Sequence, residues 1–88
     1  MKKSVKARVI IYSRPDCHLC HEAEAAIRRS PCSREVDVEV INIDEHPRLQ
    51  ERYQNDVPVV FINDVKVFKY RVPPEDFCRK VRRLAKRS

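Results

Sequence analysis

Glycine is missing altogether, and with it the residue that most chains place wherever the backbone must turn left-handed. In a chain of 88 residues this excludes a glycine-rich phosphate loop or a dinucleotide fingerprint. It also leaves asparagine and aspartate to take every left-handed position. Tryptophan is absent too, and aromatic residues make up only 7%. A core this thin supports one domain without a large internal cavity, so a substrate is expected to be met at the surface. No apolar run approaches the roughly 20 residues that cross a bilayer. The basic start, Met1-Lys2-Lys3, leads into Ser4-Val5-Lys6-Ala7-Arg8 with no apolar segment of the kind a secretory signal needs. The expectation is a soluble, cytoplasmic protein with no membrane partner.

Charge is plentiful, at 36% of residues with a net of +6. Apolar runs are interleaved with it, which argues for a folded chain. The excess is local. From Arg79 to Ser88 there are Arg79, Lys80, Arg82, Arg83, Lys86 and Arg87 and no acid, while the rest of the chain carries 13 residues of each sign. Without interleaved aromatics this run reads as the solvated face of a helix, not as a nucleic-acid site. A monomer is the simplest expectation for the size.

The chain reads as a single domain over residues 1–88, with its core at about 8–84. Val9-Ile10-Ile11-Tyr12 is short, β-branched and uninterrupted, as in a strand buried on both faces. After Ser13-Arg14-Pro15-Asp16, the residues Leu19, Cys20, Ala23, Ala26 and Ile27 form one helical stripe, which Ser30-Pro31 ends. Residues 36–43 alternate as a second strand. Pro47 suits the first turn of a short helix running to about Gln54. Val59–Ile62 and Val65–Phe68 flank Asn63-Asp64, a two-residue hairpin turn. Pro73-Pro74 opens a last helix with Phe77, Cys78, Val81, Leu84 and Ala85 on its apolar side. The order β-α-β-α-β-β-α predicts an α/β fold. Its mixed sheet has four strands, the first three parallel through helical crossovers and the last two an antiparallel hairpin.

Four cysteines are spaced unevenly, with Cys17 and Cys20 in one turn and Cys32 and Cys78 isolated. The close pair stands where the first strand hands over to the first helix. Unpaired amides and the positive end of the helix dipole stabilise a thiolate there. Cys20 falls on the apolar stripe and Cys17 at the helix edge, which assigns Cys17 as nucleophile and Cys20 as resolving thiol. Arg14, and His18 or His21 when protonated, add positive charge that would tune the sulfur. Cys78, in an apolar stripe, is expected to be a buried small hydrophobe. Cys32, in the polar loop Ser30–Arg34, is expected to be an idle loop thiol. Two alternatives stay open: a zinc or iron–sulfur module that recruits Cys32 or His21, and a non-catalytic, redox-sensitive binding module. Haem attachment at Cys17-x-x-Cys20-His21 would require export and a second axial ligand, and the sole methionine is Met1.

The run from Tyr12 to Cys20, followed by Val57-Pro58, resembles the glutaredoxin branch of the thioredoxin superfamily, and within it the small glutaredoxin-like proteins. The likeness spans Arg8 to about Leu84. It implies a thioredoxin-like fold, a redox-active disulfide and thiol–disulfide oxidoreductase activity in cell redox homeostasis. It further implies a cis peptide at Pro58 beside the dithiol, strand-like substrate pairing by the Val57 backbone, and contact of Arg14 with a glutathione carboxylate. The substrates implied are disulfide-bearing proteins or small thiols, with no resident cofactor or metal. Typical members carry Gly-Gly after the hairpin, where this chain has the bulky Phe68-Lys69-Tyr70. That difference weighs against glutathione and leaves two candidate electron donors, glutathione and a thioredoxin-reductase type.

Overall fold

The computed structural model describes residues 6–85. The Met1-Lys2-Lys3 start, and Lys86 and Arg87 of the basic run, lie outside the described residues. The chain lays down β1 (Ala7–Ser13), α1 (His18–Arg28), β2 (Val36–Asn42), α2 (Pro47–Tyr53), β3 (Val59–Ile62), β4 (Val65–Lys69) and α3 (Pro74–Ala85). Short 3₁₀ turns precede β2 and α2. This is the expected order, and the four strands form one mixed sheet in the order β2-β1-β3-β4.

Strand direction departs from expectation at one place. β2 runs parallel to β1, but β3 runs antiparallel to it, with Tyr12 opposite Val59 and Val9 opposite Ile62. The reason is length. β2 extends about 23 Å at roughly 3.3 Å per residue, whereas the seven residues of α2 rise only about 10 Å. The helix covers less than half that length, and the chain does not return to the far end of the sheet. β3 therefore starts where β2 stops, and Val57-Pro58 arrives at the end of the sheet that β1 leaves toward Cys17.

The sheet's two faces are covered unequally. Ala7, Val9 and Ile11 of β1, with Val60 and Ile62 of β3, join Ala23 and Ile27 of α1 and Phe77, Cys78, Val81 and Leu84 of α3 in the main core. On the other face Ile43, Tyr53 and Val59 form a smaller cluster, with Tyr12, Leu49 and Phe61 packed against it. Tyr12 stacks on Tyr53, with ring centroids 5.1 Å apart. β1 is thus buried fully on one face and partly on the other, because α2 covers only part of its width. β2 and β4, at the edges, are more exposed.

The hairpin turn has Asn63 at φ 47° and Asp64 at φ 72°, the left-handed pair that a two-residue turn requires. A third left-handed residue, Tyr70 at φ 75°, overturns the expectation that asparagine and aspartate fill every such position. Cys78 is buried on α3 as expected, but the outlying cysteines are not the separate thiols expected. Cys32 is fully buried and is disulfide-bonded to Cys78, so neither is a free thiol. On α3 the basic face is partly paired, Arg82 with Glu35 at 3.2 Å and Arg79 with Asp76.

Phe77, fully buried and facing Phe68, anchors α3 to the sheet. Truncation to alanine removes a whole ring from a packed site, so Phe77→Ala should lower unfolding stability by about 3–5 kcal/mol. Val40→Ala, at an exposed edge position, should change it by less than about 0.5 kcal/mol. Urea unfolding followed by circular dichroism measures both.

Candidate active site

The site is built where β1 ends. Arg14-Pro15-Asp16 turns the chain, and the Cys17 amide donates back to Arg14 O at 3.2 Å. Cys17 is extended, with φ −100° and ψ 106°, and caps α1: its Sγ accepts from the Cys20 amide at 3.1 Å. The first turn of α1 contains no acidic residue, so the positive end of the helix acts on this sulfur without a carboxylate in the turn to offset it. His21 pins the turn from the helix side, its Nε2 donating to Pro15 O at 3.0 Å. Cys17 and Cys20 are joined in a disulfide, with Cα atoms 5.2 Å apart. Cys17 is half-buried, while Cys20 is 2% exposed. The asymmetry expected from the helical stripe is present.

A shallow cleft of about 220 Å³ brings together Arg14, Asp16, Cys17, Gln54 and Val57. Three of the expected site residues, Arg14, Cys17 and Val57, therefore share one surface. Cys20 lies beneath it, bonded to Cys17. Pro58 follows a cis peptide bond and is fully buried, so it supports the cleft without lining it. His18 does not join the group: its Nε2 lies 2.8 Å from Glu22 Oε2 on the solvent side of α1. Arg14 is held in place, its Nε donating to Asp44 Oδ1 at 3.0 Å. Asp44 is itself fixed by its amide on Asn42 Oδ1, at 2.9 Å, and by Gln50 Nε2. This pairing offsets part of the charge that Arg14 was expected to lend the sulfur.

Tyr70 braces the other wall. Its amide donates to Pro58 O at 2.9 Å. Its hydroxyl lies 3.2 Å from both Asn55 O and Asp56 Oδ1, with one proton to donate between them. A left-handed tyrosine costs about 1–2 kcal/mol of backbone strain, and these contacts offset it. The same ring, 40% exposed, lines a second cleft of about 330 Å³ with Leu19, Ala23, Ala26 and Arg71. Asp16, Gln54 and Asp44 are thus parts of the site without a counterpart in the sequence analysis, and Tyr70, noted there only for its bulk, also braces the cleft. Asp44, two residues after Asn42 at the end of β2, was the one with a local signal.

Among the described residues, no group of three or more histidine, cysteine, aspartate or glutamate side chains is placed to hold a metal ion. Cys32 lies beyond the opposite end of α1, bonded to Cys78. Of the two donors proposed to complete a tetrahedral set with the dithiol, Cys32 is taken up by Cys78 and His21 holds Pro15 O through Nε2.

Residues 8–82 match the glutaredoxin-like domain family (DUF836). The chain belongs to this family. A glutaredoxin-like protein of Dictyostelium discoideum, the YDR286C homolog, is 32% identical, with the match covering 80% of this chain and 68% of that protein. Among solved structures, protein Ne2328 from Nitrosomonas europaea superposes with a TM-score of 0.73 at 29% identity, covering 92% of this chain and 99% of the other. The NrdH-redoxin of Escherichia coli, a glutaredoxin-like protein with a thioredoxin-like activity profile, superposes at 0.59 with 34% identity, covering 82% and 92%. Like that neighbour, this glutaredoxin-like chain has a thioredoxin-type fold.

Removing the Tyr70 hydroxyl should loosen the wall around Val57 without unfolding the domain. In Tyr70→Phe the amide of Asp56, bonded to Tyr53 O, is expected to exchange with solvent about three- to tenfold faster, for a lost bond of roughly 0.5–1.5 kcal/mol. Amides of β1 should be unchanged. Hydrogen exchange read by NMR makes the comparison within one sample.

Proposed function

We propose that this glutaredoxin-like domain is a dithiol–disulfide oxidoreductase, with Cys17 as nucleophile and Cys20 as resolving thiol. The observation that carries the reading is the unequal placement of one bonded pair, Cys17 open to a cleft and Cys20 buried behind it. In the reduced protein, the Cys17 thiolate attacks one sulfur of a target disulfide. That bond breaks, the target's other sulfur leaves as a thiolate and takes a proton, and a mixed disulfide remains. Cys20 then loses its proton and attacks Cys17 Sγ, releasing the second target thiol and closing the Cys17–Cys20 bond. The target gains two electrons and two protons, and the dithiol loses the same.

The chain's own groups support each step. The Cys20 amide that now donates to Cys17 Sγ is placed to hold a thiolate there. The exposed edges of Val57 and Arg14 provide a surface for the chain flanking a target disulfide. With a shallow cleft at the dithiol, the protein suits a disulfide presented on a protein surface better than an engulfed small molecule. The likeness to NrdH-redoxin favours an electron donor of the thioredoxin-reductase type. The bulky Phe68-Lys69-Tyr70 run where typical members carry Gly-Gly favours the same donor over glutathione.

Equilibration of the protein in defined glutathione buffers, followed by alkylation and mass measurement, tests the reading. A reversible two-electron couple at Cys17–Cys20 between about −120 and −270 mV is expected. Cys17→Ser should abolish exchange with a model disulfide, whereas Cys20→Ser should accumulate the mixed disulfide on Cys17. A Cys17→Ser protein that still turns over would remove Cys17 from its assigned role.

A further inference from the structure

Cys32–Cys78 lies outside this chemistry, and we propose that it is a second disulfide of opposite character: a clamp that stays closed while Cys17–Cys20 cycles. The two bridges flank opposite ends of α1. Eight residues of helix, 21–28, lie between Cys20 and the far end of α1, a rise of about 12 Å, and thiol–disulfide exchange requires sulfur in contact with sulfur. Electrons therefore do not pass between the two couples within one molecule. An outside thiol fares no better. Cys32 is fully buried and Cys78 is 5% exposed, both within the main core beside Ile27, Phe77 and Val81. A thiolate must approach a sulfur along the S–S axis, which here requires α3 to lift from the sheet. Reduction is thus gated by local unfolding.

The polar loop around Cys32 is built to be closed over. Ser30, also buried, donates its hydroxyl proton to Ile27 O at 2.8 Å, and its Oγ lies 3.5 Å from Cys32 Sγ. The Cys32 carbonyl accepts from the Glu35 amide at 2.8 Å, so the loop meets its own hydrogen-bonding needs. Glu35 then reaches Arg82 of α3, so the bridge and an exposed ion pair join the same two segments. The bridge spans 46 positions and encloses β2, α2, β3 and β4. Cross-links that close long loops restrict the unfolded chain most. Closing it removes two electrons and two protons from the two thiols. A low-molecular-weight disulfide such as glutathione disulfide accepts them, leaving two glutathione thiols.

The native full chain is first oxidised with glutathione disulfide. It is then equilibrated across glutathione buffers, quenched in acid, alkylated and mapped by peptide mass. Cys17 and Cys20 are expected to label first. Cys32 and Cys78 should stay bridged until the ratio of squared reduced to oxidised glutathione is at least about 100-fold higher, or until denaturant is added. Labelling of all four cysteines over one range, or failure of Cys32 and Cys78 to pair, would overturn the proposal. The Cys32→Ala/Cys78→Ala double variant should melt at least about 10 °C lower while exchanging with a small disulfide within about twofold of the parent rate. An unchanged melting temperature would also overturn it. The mapping uses no variant and decides the case even if the double variant does not fold.

Discussion

Everything at the active end of the molecule depends on the antiparallel register between β1 and β3. Tyr12 opposite Val59 means that the strand leading into the dithiol and the strand leading out of Val57-Pro58 meet at one end of the sheet. The hydrogen bonds of two central strands therefore position two loops that are about forty residues apart in sequence. Shifting the register by one residue would move Val60 and Ile62 out of the main core, so the packing that stabilises the domain also fixes the site.

From this frame the local chemistry follows with few parts. The chain leaves β1 and turns through Pro15. Cys17 caps the next helix with a sulfur where other helices use an oxygen. Capping and reactivity draw on the same amide, that of Cys20. Arg14 is steadied by Asp44 and the Val57 step by Tyr70, so both walls of the cleft are supported by side chains from outside the dithiol loop. The long bridge at the other end of α1 shares no atoms with this assembly. It acts on the stability of the whole domain.

Much of this was legible in the sequence because local patterns decide it. Alternation marks β2, the stripe from Cys20 to Ile27 marks α1, and Asn63-Asp64 marks the hairpin. The dithiol at a strand-to-helix junction is likewise a local feature. The reversal of β3 is not legible in local patterns, since it depends on how α2 lays the chain across the end of the sheet, a global constraint. The bulk of Tyr70 was legible but its bracing role was not: its left-handed backbone is held by contacts to residues 55–58, which no property of tyrosine foretells. Cys32 misled, because Ser30, Ser33 and Arg34 look like solvent-facing neighbours. Ser30 instead turns its hydroxyl inward to Ile27 and lets the loop be buried.

The lack of glycine bears on the unfolded chain as much as on the folded one. A glycine explores far more backbone space than any other residue, and each one fixed on folding gives up about 0.4–1 kcal/mol more than an alanine in its place would. This chain confines its left-handed backbone to Asn63, Asp64 and Tyr70 among the described residues. No position in the sequence carries a glycine's freedom. Its denatured ensemble is narrow from the outset, which lets a thin, tryptophan-free core hold a domain of this size together.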